Sequence, residues 1–80
     1  MPYITQTSRK SMRQGRPASI AGELNYALTQ ICLEYLYNEG TTYQHINDVL
    51  GALEGCKLEF YRRIVVPYED QKMKENGDVY

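Results

Sequence analysis

The stretch from Thr41 to Pro67 constrains this chain more than any other. Thr41-Thr42-Tyr43-Gln44 has the form of a capping box, with a Thr hydroxyl and a Gln three residues on to satisfy the first free amides of a helix. Pro67 is the expected stop or kink, because proline has no amide hydrogen and its ring crowds the carbonyl four residues back. At about 100° per residue, Ile46, Val49, Leu50, Leu53, Phe60 and Ile64 share one face of the helix between them. Gly51, Gly55, Leu58 and Arg62 form a second stripe on the roughly opposite side. Each glycine costs about 1 kcal/mol relative to alanine in a helix interior. Two on one face predict that something packs closely there.

A first long helix should precede this one. Ser19 is the expected N-cap and Gly40 the left-handed cap that ends it. Ile20, Leu24, Leu28, Ile31, Cys32 and Tyr35 fall on one side, with Tyr26, Leu33 and Tyr37 opposite. A helix apolar on two sides is normally buried on two sides. The connection at Gly40-Thr41 is tight, which predicts an antiparallel hairpin of the two long helices. Pro67 is also placed to open a short last helix, with Glu69 and Asp70 in its first turn, Lys72 and Lys74 in its last, and Asn76-Gly77 at its end. The fold class expected is all-α: a hairpin plus a short C-terminal helix, assembling as a helical-bundle oligomer. Residues 1–18 should form a basic, partly ordered arm, with a turn or two of helix around Ser8 to Gln14, and residues 19–80 the helical domain.

Eighty residues sit at the lower edge of what one core can stabilise, and a lone hairpin of this length buries little. Self-association as a homodimer or homotetramer is therefore expected, around Leu28, Ile31, Leu53 and Phe60, with Gly51, Gly55 and Leu58 at a second contact. Nine Lys and Arg against ten Asp and Glu give net charge -1, so no general basic field draws nucleic acid. Only Arg9, Lys10, Arg13 and Arg16, which stand together without an acid, offer a weak footing for it. No apolar run approaches the ~20 residues of a membrane span. Cys32 and Cys56 fit no metal or redox spacing and read as reduced core cysteines of a cytosolic protein.

Catalytic signals are poor. His45 is the sole histidine and reads as a surface or capping residue. No Gly-rich phosphate loop, nucleophile elbow or two-histidine metal motif is present, and Glu54 and Glu59 point in different directions. The chain reads as a non-enzyme without cofactor or metal. Lys57 falls within the apolar stripe, either as a stem packed on the core or as a cation facing an enclosed polar ligand. Tyr61-Arg62-Arg63 and Tyr68 supply aromatic planes and two guanidinium forks, which suit phosphate and base stacking as well as they suit a solvated helix end. Eight tyrosines with one Phe and no Trp also suit an interface or a stacking surface.

Met1 to Ile4, Gly22-Glu23-Leu24-Asn25-Tyr26, Asn47 to Gly51, Leu53-Glu54, Lys57 to Arg63, Pro67 to Asp70 and the ending Glu75-Asn76-Gly77-Asp78-Val79-Tyr80 resemble a widespread family of small uncharacterised proteins of phage and bacterial genomes. The resemblance spans nearly everything but residues 5–21, and its most specific pieces are Leu58-Glu59-Phe60-Tyr61-Arg62-Arg63 and the ending. That family's usual pattern has Leu-Glu-Cys-Val-Lys where this chain has Leu53-Glu54-Gly55-Cys56-Lys57, so a contact at Gly55 is particular to this chain. The family label implies no function. In size and expected helical hairpin the chain is similar in type to viral sponge proteins that sequester cyclic nucleotide signals of bacterial defence, the anti-CBASS class. That analogy implies a cyclic nucleotide bound at subunit interfaces in the host bacterial cytoplasm. That class's binding residues do not map onto this chain, and the residues expected to bind are those read from the chain itself, Lys57, Tyr61, Arg62, Arg63 and Tyr68. The rival expectation is a helical homo-oligomeric interaction protein that binds a host protein without a small ligand.

Overall fold

The structure is a computed structural model that describes residues 2–80. Among the described residues the chain is all-helical: α1 (Gln6–Arg13), α2 (Ala21–Glu39), α3 (Tyr43–Phe60) and α4 (Val66–Asn76), with a π-helical turn (Tyr61–Val65) between the last two. It divides into two compact units, one ending at Ile46 and the other Asn47–Tyr80.

The first unit is organised by a carboxylate. Arg16 donates through both terminal nitrogens to Glu23, Nη1 to Oε1 at 3.1 Å and Nη2 to Oε2 at 2.6 Å. Its Nε donates to the Ser11 hydroxyl at 2.7 Å, so one guanidinium spans α1, the turn after it and the first turn of α2. Two parallel bonds from a planar fork fix direction as well as distance. Glu23 also accepts from the Ser19 amide (2.9 Å) and hydroxyl (3.0 Å) at Oε1. Glu23 and Tyr26 are the buried residues of the described chain. The Tyr26 hydroxyl lies 3.4 Å from the Arg13 Nη1 that donates to it. Arg9 Nε donates to the Ile4 carbonyl at 3.0 Å.

Several local expectations shift here. Ser19 does not cap α2: the helix starts at Ala21 after Ile20, which makes no side-chain cap bond. Glu23 instead reaches back to Ser19, the carboxylate half of a capping box set one residue earlier than usual. The covered side of α2 is the one holding Glu23 and Tyr26, and the stripe of Leu24, Leu28 and Ile31 lies exposed. The reason is that α1 is tied over Glu23 by Arg16, and its cover follows that tie. Gly40 ends α2 with φ +98° and ψ 148°, a positive-φ conformation open to glycine though outside the left-handed helical region. Thr42, not Thr41, caps α3: its hydroxyl accepts from the His45 amide at 3.1 Å. His45 Nδ1 lies 2.7 Å from the Gly40 carbonyl, and the ring stands edge-on to Tyr35 with centroids 6.0 Å apart.

In the second unit the backbone stays helical through Pro67 and ends at Gly77, whose amide donates to the Met73 carbonyl at 2.8 Å. No residue of Asn47–Tyr80 is buried.

The Arg16 guanidinium and the Ser19 donors hold the Glu23 carboxyl at about 2, down from an ordinary 4.5. A depressed folded-state value means stability that is present above 4.5 and lost as pH falls through that value toward 2. Thermal unfolding followed across that range should show a falling melting temperature in the parent. The difference between the parent and Glu23→Gln should shrink over the same interval, since the variant has no carboxyl to protonate. A constant difference would remove Glu23 from that role.

Candidate functional site

Proline at position 67 shapes the candidate site. Its nitrogen cannot donate to the Arg63 carbonyl, and its ring needs room where that carbonyl would sit in a regular helix. The backbone answers with a wider turn rather than a break: the Val66 amide donates to Tyr61, five residues back. Pro67 therefore opens α4, as the sequence predicts, while α3 runs into it through the π turn. The turn contains Tyr61, Arg62 and Arg63, three of the residues singled out for a ligand. Single-turn π segments are frequent at functional sites.

Glu59, weighed in the sequence only beside Glu54 as a poor acid/base pair, is the residue whose role was missed there. Arg62 Nη2 donates to both of its carboxylate oxygens, at 3.0 and 2.9 Å, and Arg63 Nε donates to Oε2 at 3.3 Å. The signal was present as an acid three and four residues before two arginines, the spacing at which helix neighbours meet. Two cations share one carboxylate here, which leaves the cluster one positive charge in excess. Both arginine side chains are open to water, 71% and 74% exposed, so these bonds lie in a high-dielectric setting.

The other candidates are more scattered. Lys57 Nζ lies 3.8 Å from Glu54 Oε1 with an exposed side chain, so within this chain it neither packs on a core nor faces an enclosure. Tyr61 and Tyr68 are both exposed, and Lys72 stands over the Tyr68 ring at 5.6 Å from its centroid. Gly55, Leu58, Glu59, Tyr61, Arg62 and Val66 line one shallow open groove. Of the sequence-based set, Gly55, Leu58, Tyr61 and Arg62 come together, while Lys57, Arg63 and Tyr68 lie outside the groove. A Cβ built on Gly51 or Gly55 would meet nothing within 4 Å, so the close contact expected at that stripe is not made inside the chain. Leu28, Ile31, Leu53 and Phe60 are exposed as well.

Among the described residues no cluster of three or more His, Cys, Asp or Glu is placed to hold a metal ion. None of their helices is long and apolar enough to cross a membrane. Cys32 and Cys56 are free thiols, the first half-buried and the second exposed.

Fold and site together define a small all-helical chain with an aromatic and arginine-rich π turn on an uncovered helix. Residues 1–79 match the family described as Domain of unknown function (DUF6899), and the chain belongs to that family. No curated protein and no solved structure matches the chain.

Exposed ion pairs at i,i+3 or i,i+4 contribute about 0.3–0.5 kcal/mol. Arg62→Ala and Arg63→Ala should therefore leave helicity intact and melt within a few degrees of the parent by circular dichroism. A large drop in either would make the Glu59 cluster a structural element and not a site available for binding.

Proposed function

We propose that this protein is non-enzymatic and works as a homo-oligomer, with the helical run through α3, the π turn and α4 as its assembly element. One observation carries the reading: Asn47–Tyr80 contains Leu50, Leu53, Leu58, Phe60, Ile64 and Val66, and none of its residues is buried. A helix in water gains most of its stability from packing an apolar face. Here apolar residues occupy two sides, and a single neighbour covers one. A second copy is the partner always present at the protein's own concentration. The antiparallel pairing expected of the long helices then belongs to a helical bundle in its assembled form.

Light scattering at micromolar concentration should give a dimer or larger mass, and a monomer mass would overturn the proposal. Gly51→Leu tests the stripe. If another helix lies against it, overpacking of roughly 1–3 kcal/mol should weaken the assembly by about five- to 150-fold. If the stripe faces water, leucine should raise helicity and leave the mass unchanged.

A second reading is favoured by the contents of the π turn. Tyr61, Arg62 and Arg63, with Lys57 four residues before the turn and Tyr68 three residues after it along the chain, are of the types that suit a ligand carrying both a phosphate and an aromatic base. In that reading the assembled protein sequesters a cyclic nucleotide immune signal in a host bacterial cytoplasm, as an anti-defence sponge of phage. Arg63, with its Nε alone on Glu59, would serve the ligand, while Arg62 serves the interface. A charge-assisted hydrogen bond is worth roughly 1.5–3 kcal/mol, or about ten- to hundredfold in affinity. Calorimetric titration with a panel of cyclic mono- and dinucleotides should show binding by the parent, reduced by that factor in Arg63→Ala. Absence of any binding at tens of micromolar would leave the interaction-protein reading, with a host protein as the partner.

A further inference from the structure

The self-association proposed above leaves open which face meets which, and the charges along the second unit restrict the answer. At about 100° per residue, Gly51, Glu54, Gly55, Leu58, Tyr61 and Arg62 fall within about 60° of Leu58 around the helix. The shared groove places Gly55, Leu58, Tyr61 and Arg62 together on that side. Leu58 is 58% exposed and stands at the middle of this face. Within that arc Glu54 and Arg62 are the charged members, four residues before Leu58 and four after it. Glu59, which also lines the groove, stands about 100° round from Leu58 and is held by Arg62 and Arg63. Both side chains are largely open to water, at 60% and 71%.

We infer that this face docks on the same face of a second copy, antiparallel, with the two-fold axis at Leu58. The register follows from electrostatics. A two-fold contact is isologous, so whatever residue i meets, its partner residue meets i in return. Around Leu58 an antiparallel pair sets Glu54 of each copy in one layer with Arg62 of the other, and Leu58 meets itself. An in-register parallel pair would set Glu54 against Glu54 and Arg62 against Arg62, and like charges across an interface are disfavoured. Shape agrees with charge. Gly51 and Gly55 leave open space where their Cβ atoms would be, and the same operation lays the bulkier Tyr61–Val65 turn along them. Space beside the glycines is then filled by the residues that the π turn spreads outward.

The pairing also gives each intrachain ion pair a second partner. Arg62 keeps its bonds to Glu59 on its own helix and gains Glu54 of the second copy. Glu54, 3.8 Å from Lys57 in its own chain, gains a stronger, forked donor.

The test uses two single variants of the full chain, Glu54→Arg and Arg62→Glu. Each alone places like charges in two symmetric layers of its own homodimer, and each should dimerise roughly tenfold or more weakly than the parent in sedimentation velocity. Mixed in equal amounts, the two variants can pair with each other. The arginine introduced in one chain then meets the glutamate introduced in the other, and the remaining layer keeps the native Glu54 and Arg62. The mixture should therefore recover dimer at a concentration where each variant alone is monomeric. A contact within one chain could not be restored by mixing, so recovery places the contact between copies, and its extent gives the direction. An antiparallel pair should recover to about the parent's affinity. A parallel pair, like-charged in the parent, should bind more tightly mixed than the parent does, and that result would overturn the register. Circular dichroism of each variant confirms that the helices persist. If the parent is dimeric and the mixture shows no recovery, the copies meet through another face, and this inference falls while self-association stands. If the parent is monomeric at every concentration up to hundreds of micromolar, both fall.

Discussion

A helix surrounded by water is only marginally stable unless one of its faces is covered, and that constraint governs the second unit of this protein. Fixing each residue of such a helix costs about as much as its hydrogen bond returns. From Asn47 onward the chain continues α3, makes the π turn and completes α4 without burying a residue. The apolar side chains it carries are too many for a helix meant to face solvent. On the proposed reading its surface is half of a contact between copies, and the pairs of Glu59 with Arg62 and Arg63 are the polar part of that surface.

The first unit solves the same problem with an ion pair. Glu23 sits in the first turn of α2, where the helix dipole already favours negative charge, and Arg16 closes on it from the turn after α1. Burying a carboxylate is tolerable only when its oxygens are met, and two nitrogens of Arg16 with two donors of Ser19 meet them. This also changes the meaning of the basic N-terminal segment. Arg9, Arg13 and Arg16 look like a free cationic arm in the sequence, yet each donates a hydrogen bond within its own unit.

What the sequence made legible was governed by local rules. Periodicity marked α2 and α3, Asn76-Gly77 marked the end of α4, and Pro67 marked its start. The caps were readable to within one residue, as Thr42 replacing Thr41 shows. The grip of Glu59 on Arg62 and Arg63 was equally local and could have been read from i,i+3 and i,i+4 spacing. The Arg16–Glu23 pair was not legible, because the partners lie seven residues apart in different elements and no periodic rule joins them. Tyr26 was hidden for a related reason. Its burial follows from where α1 is tied, not from the stripe of Leu24, Leu28 and Ile31. The π turn lay between these cases: a proline inside a helical pattern forces some departure, and only the structure shows that widening, not breakage, is the one taken.

The same energetics order the two functional readings. In this chain Glu59 already occupies Arg62 and Arg63, and an anionic ligand must compete with it. Displacing an exposed carboxylate costs little, since such pairs are usually worth under about 1 kcal/mol. The difficulty is on the other side. A phosphate bound to the same exposed arginines gains equally little, because water screens it to the same extent. Bonds of roughly 1.5–3 kcal/mol to a charged ligand need water excluded. The groove at Gly55, Leu58 and Arg62 is shallow and open, so exclusion has to come from a second surface laid over the π turn. Binding of a nucleotide here thus presupposes assembly, whereas assembly does not presuppose a nucleotide. For that reason we propose the oligomer as the primary reading, and on that proposal any ligand site is a property of the contact between copies.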